Sequence, residues 1–149
     1  MLLKEKIHGA CRQILQDKII ALQQNLLELQ QSAANETKST AGDKHETALA
    51  MLQIEQENKR TQLKELQIQQ AAFNKIDPAH VSAEILNGAL VETNKGYFFI
   101  SVALGKIIHD GLTVYALSLT SPLGQKMRGL RAGRNLEVNG TSYSILSVS

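Results

Sequence analysis

From Leu3 to about Ala34 the apolar residues recur at helical spacing. Leu3, Ile7, Cys11 and Leu15 fall four apart, and Ile19, Leu22, Leu26, Leu29 and Ala33 alternate between three and four. The second run is a coiled-coil seam. The first reads as a stutter in which the seam drifts round the helix. Leu, Gln, Ile, Lys and Ala dominate, with one early glycine, Gly9, so propensity agrees with pattern. A polar stretch, 35–48, then breaks the period with Ser, Thr, Asn, Asp and Gly42 crowded together, which marks a turn. From Glu46 to about Asn74 the helical style returns: Leu49, Leu52, Leu63, Leu66 and Phe73 keep the spacing, while Gln56, Lys59 and Gln70 interrupt it. Asp77-Pro78 closes the segment, because the residue before proline is pushed out of the α region. Each leg has about 30 residues and would be roughly 45 Å long. The pattern predicts an antiparallel coiled-coil hairpin over 1–77, a rod whose free end is the polar turn. A seam weakened in its middle argues for a monomer rather than a dimerising zipper.

After Pro78 the period changes. Gly88–Thr93, Tyr97–Val102, Lys106–His109 and Leu112–Thr120 are short and β-prone, and Asn94-Lys95-Gly96 and Asp110-Gly111 mark turns between them. Ser121 suits an N-cap, Pro122 the first helical position and Gly129 the residue past the end, so a one-to-two-turn helix is expected there. Arg134–Val138, Asn139-Gly140 and Thr141–Val148 make a final hairpin. The fold class is therefore α+β, with a helical hairpin over 1–77 followed by a small β domain with one short helix over 78–149.

Composition narrows the function classes. The chain has 149 residues, a formal charge of +2 and a single cysteine, Cys11. One cysteine forms no intrachain disulfide, which favours a cytoplasmic setting. The first residues lack an apolar signal core, and no stretch approaches the ~20 apolar residues of a membrane span. No P-loop, G-x-S-x-G or G-x-G-x-x-G occurs. His8, His45, His80 and His109 are too scattered for a zinc motif.

The turn carries Glu36, Asp43 and Glu46. Asp43 and Glu46 lie three apart in the first turn of the second helix, so both carboxylates can address one locus. Helix capping explains them. So does capture of Mg²⁺, which takes one or two protein carboxylates and fills its shell with waters and other ligands.

Two local motifs resemble the bacterial GreA/GreB transcript-cleavage factors. Gly42-Asp43-Lys44-His45-Glu46-Thr47-Ala48 is similar to that family's G-D-x-x-E-N-A. Ser121-Pro122-Leu123-Gly124 through Gly129, then Gly133 and the ending Tyr143-Ser144-Ile145-Leu146-Ser147-Val148, resemble its S-P helix, following glycines and Y-x-I-L-x-V end. The resemblance spans nearly the whole chain and implies an FKBP-like C-terminal domain. It also implies a regulator, not itself an enzyme, that inserts its hairpin into the secondary channel of RNA polymerase. There Asp43 and Glu46 would help hold a Mg²⁺ supplied in the polymerase site, so that the polymerase cleaves the 3′ end of backtracked nascent RNA. No Mg²⁺ would be bound by the factor alone. Docking on the polymerase is expected through Ser121, Pro122, Lys126, Arg128 and Arg131, with a plain solvated face as the alternative for the cations. Lys59, Arg60 and Lys64 could line the RNA side of the hairpin. Three positions depart from the family pattern: Thr47 replaces Asn, Ala50 replaces an aromatic, and Arg134 replaces Asp after Gly133.

The rival readings are a non-catalytic channel binder that competes with cleavage factors, a peptidyl-prolyl isomerase and a plain coiled-coil adaptor. The isomerase is disfavoured because Tyr97, Phe98, Phe99, Tyr115 and Tyr143 alternate like core strand residues, with no Trp to line a pocket.

Overall fold

The computed structural model describes residues 2–37 and 43–149, and the side chains of 2–35 and 46–149. The order of elements is α1 (Leu3–Thr37), α2 (Asp43–Phe73), β1 (Leu90–Thr93), β2 (Gly96–Ile100), β3 (Gly105–His109), β4 (Leu112–Leu117), α3 (Pro122–Met127), β5 (Asn135–Val138) and β6 (Thr141–Val148). This is the expected α+β arrangement of a helical hairpin followed by a small sheet domain with one short helix. The chain forms two compact units. One is Ile14–Gln70; the other joins Met1–Gln13 to Ala71–Ser149. By compactness, therefore, the division falls inside both long helices, and the second helix itself ends at Phe73.

Within Ile14–Gln70 the two helices bury the stripe that the spacing picked out. Leu15, Ile19 and Leu26 are buried, and Leu22, Leu29 and Ala33 are half-buried. On α2 the sheltered positions include Leu49, Leu52, Gln56, Lys59, Leu63, Leu66 and Gln70, which alternate by three and four, with Ala48 and Gln69 beside them. Gln56, Lys59 and Gln70 therefore occupy the seam instead of interrupting it. Gln56 is only 8% exposed, and its Oε1 accepts a hydrogen bond from Arg60 Nη2 at 3.4 Å. The register leaves a polar groove of about 300 Å³ on one flank, where Asn25, Glu28, Leu29 and Ser32 of α1 meet Glu55 and Lys59 of α2.

The other unit is built on a six-stranded sheet of order β3-β4-β2-β1-β6-β5. Neighbours are antiparallel except β2 and β4, which run parallel with Phe98 beside Tyr115. Residues after β2 carry the chain to the sheet edge, β3 forms there, and β4 returns inside it. Asp110-Gly111 and Asn139-Gly140 close the β3–β4 and β5–β6 hairpins with φ of 49° and 77°, and of 50° and 79°. Positive φ at both central residues is the type I′ geometry whose twist matches the strands it joins.

Strand alternation buries both faces of this sheet. On one face Val91, Phe98, Ile100 and Ile145 pack with Met127 of α3 and with Ile85. On the other, Phe99 meets the rings of His8 and Phe73, each edge-on with centroids 6.4 Å away. The end of α2 shapes that contact. After Phe73 two tight turns follow, with Ile76 N donating to Phe73 O at 3.0 Å, and Asp77 Oδ1 accepts from Ala79 N at 2.9 Å. Proline at 78 is compatible because this local bonding has already replaced the helix.

Candidate functional site

The residues singled out in the polar turn divide between described and undescribed positions. Positions 38–42 lie outside the described residues, as do the side chains of Glu36, Asp43 and His45. The backbone places Asp43 at the first residue of α2 and Glu46 within the first turn, where it is exposed. A carboxylate there interacts favourably with the free N–H groups of the helix start. Its outer lone pairs remain open to solvent or to an external ion. Among the described residues no three His, Cys, Asp or Glu side chains gather into a metal-ligand set. Two carboxylates on one helical turn can only complete a coordination shell whose other ligands come from elsewhere. Thr47 and Ala50, the departures from the family motif, lie in the same stretch, and Ala50 is exposed.

The second candidate region surrounds α3. Ser121 is its N-cap: Ser121 Oγ accepts from Gly124 N at 3.0 Å and donates to Ser118 O at 2.7 Å. That hydroxyl is spent on holding the helix start, so Ser121 acts on any docking surface by setting the direction of α3. Pro122 at the first helical position is exposed. Gly124 is buried against the Ser118 carbonyl so closely that a Cβ would collide with it and would lie 2.9 Å from Leu119 Cα. Gly129 follows the C-cap with φ of 79°, the left-handed residue that glycine tolerates. It also ties α3 to the linker after α2: Gly129 N donates to Ile85 O and Ile85 N to Leu130 O, both at 2.8 Å. This bridge, which extends to Glu84 and Arg131, carries no sequence signal, because an isolated backbone pair needs no residue type. Lys126, Arg128, Arg131 and Arg134 are all exposed around this framework. On α2, Arg60 pairs with Glu57 at 3.5 Å, and Lys64 is exposed.

Two further clusters escaped the sequence reading. His8 is buried, stacks on Phe73 and has no hydrogen-bond partner at Nε2. Burial, and then the nearby Arg12 charge, lower its pKa below the usual histidine value. Lys4 is likewise buried, its Nζ donating to His80 O at 2.6 Å, and burial lowers its pKa. Cys11 sits beside them in sequence with its thiol pushed up to about 12 by burial, which leaves it unreactive at neutral pH. The other cluster is aromatic. Phe98, Tyr115 and Tyr143 come from three strands and, with Lys95, line one open cleft. Alternation marked each ring as a strand residue, but only the sheet order puts the three together.

No family model matches the chain, and no curated protein does. Among solved structures, one described as that of the transcription factor Gfh1 is similar at 14% sequence identity and a TM-score of 0.38, covering 93% of this chain and 93% of that one. A likeness at that level establishes neither family nor function. No helix among the described residues is long and apolar enough to cross a membrane.

Proposed function

We propose that this chain is a transcription elongation factor that binds RNA polymerase and enters its secondary channel with the α1–α2 hairpin. In this reading Asp43 and Glu46 help hold a Mg²⁺ ion in the polymerase site, and the polymerase then cleaves backtracked RNA. The observation that carries it is the start of α2: Asp43 is its first residue and Glu46 is exposed within the first turn, the two acids of the tip motif. The ion would stabilise charge developing on the attacking and leaving oxygens, and the hairpin's own contribution would be ligands and position. The S-P helix supports the same reading, since its cap, its buried glycine and its following glycine are each held by local geometry.

The test is a stalled, backtracked elongation complex with Mg²⁺, in which the added protein should shorten the RNA. A second reading is favoured by Ala50, exposed where the family motif has an aromatic: the chain binds the channel without promoting cleavage and competes with factors that do. Binding without RNA shortening, together with inhibition of a cleavage factor, would select that reading.

A further inference from the structure

The Phe98 side of the sheet carries a feature that the cleavage reading does not use. Tyr115 stacks on Phe98 with ring centroids 5.4 Å apart and 27° between the planes, and Tyr143 meets Phe98 edge-on at 5.7 Å. With Lys95 these rings line an open cleft of about 340 Å³. Phe98 is buried, whereas Tyr115 is 36% exposed and Tyr143 half-buried, so the outer rings of the cluster reach solvent.

Strand register sorts the charges between the two faces. Lys106 pairs with Tyr115 and Phe98 with Tyr115, so all three share one side. Glu92 pairs with Tyr97, and Glu137 with Ser142, each one residue out of phase with the aromatic cluster and therefore on the opposite side. No strand residue on the Phe98 side is a carboxylate. The same side receives α3, whose Met127 packs into the core with Phe98. Lys126 lies on that helix and Arg128, Arg131 and Arg134 follow it, all exposed. Glu84 is bridged to Arg131 through the backbone. Asp110 lies in the β3–β4 turn, 3.5 Å from His109.

We propose that the open cleft on this side binds single-stranded nucleic acid, with bases stacking on Tyr115 and Tyr143 and phosphates meeting Lys95 and Lys106 first and then the cations of the α3 region. Exposed tyrosine rings on a sheet, flanked by Lys95 and Lys106 with no strand carboxylate on their side, match a polymer that alternates planar bases with phosphates. An acidic peptide would satisfy the cations alone and leave the ring faces unused. The proposal goes beyond the cleavage reading and stands without it, since it concerns the sheet unit and needs no polymerase.

Fluorescence anisotropy of labelled oligouridylate and oligothymidylate, titrated with the full chain alone, tests it. Binding should weaken steeply as salt rises. Tyr115→Ala should weaken it about tenfold, while Tyr115→Phe should retain it. Lys95→Glu, on an exposed turn where folding is not at stake, should weaken it several-fold. Lack of binding by either oligonucleotide overturns the proposal. So does equal affinity for a duplex of the same length, or displacement by an acidic peptide of equal charge with Tyr115→Ala indistinguishable from the parent.

Discussion

His8 stacks on Phe73 with ring centroids 4.5 Å apart and planes inclined by 21°. One residue comes from the start of the first helix and the other from the end of the second, and both rings meet Phe99 of the sheet. The imidazole is thus held as a flat, neutral packing element in an apolar site, and its acid form is disfavoured there by burial and by the Arg12 charge.

A pH dependence follows with a definite sign. The folded-state pKa of His8 lies below that of the unfolded chain, so the unfolded chain binds the proton first as pH falls. Stability should be complete above about pH 7 and fall as pH drops through the ordinary histidine range near 6.5. Urea midpoints measured between about pH 7.5 and pH 5 should show the loss, and His8→Phe should reduce it. An unchanged slope in that variant would assign the acid sensitivity to other groups.

The cap of α3 gives an ordered pair of stability effects. Ser121→Ala removes the acceptor for Gly124 N and should cost about 1 kcal/mol. Gly124→Ala drives a methyl group into the Ser118 carbonyl and should cost more, about 3 kcal/mol. Chemical denaturation of both variants checks the order, and a milder Gly124→Ala would mean that the Ser118 turn yields easily.

The hairpin seam predicts a gain. Gln56 is buried at a position where Leu would fit the apolar stripe, and its side-chain bond with Arg60 is long. Gln56→Leu should therefore stabilise the chain by about 1 kcal/mol, since buried polar seam residues cost stability while fixing register. Thermal unfolding measures the gain. Sedimentation of the same variant shows whether lost register specificity lets the helices associate.

For the proposed function, Asp43→Asn and Glu46→Gln each remove a charge while keeping size and most capping capacity. RNA shortening in backtracked complexes should fall about tenfold or more in each, consistent with loss of an ion's ligand. Binding to the polymerase, followed by competition, should remain. Full activity in both variants would leave the carboxylates as capping groups only.

The seam from Ile19 to Ala33 was legible because a helix repeats its environment every three to four residues, and the buried face must be apolar to leave water. The Asp110-Gly111 and Asn139-Gly140 turns and the Ser121-to-Gly129 helix were legible because positive φ, a side-chain cap and a fixed proline φ each demand particular residues. Gln56, Lys59 and Gln70 misled the reading: their polarity signalled exposure, yet the register of the neighbouring leucines carries them into the seam. Sheet order had no local signature. That β4 lies parallel to β2, with β3 outside it, depends on long-range pairing between strands of similar composition. So does the meeting of Phe98, Tyr115 and Tyr143 in one cleft, and of His8, Phe73 and Phe99 around one contact. The sequence by itself determined the elements, the turns between strands and the motif at the start of α2, because those rest on interactions within a few residues. The tertiary structure decided which rings, cations and carboxylates share a face, because that depends on which strands become neighbours.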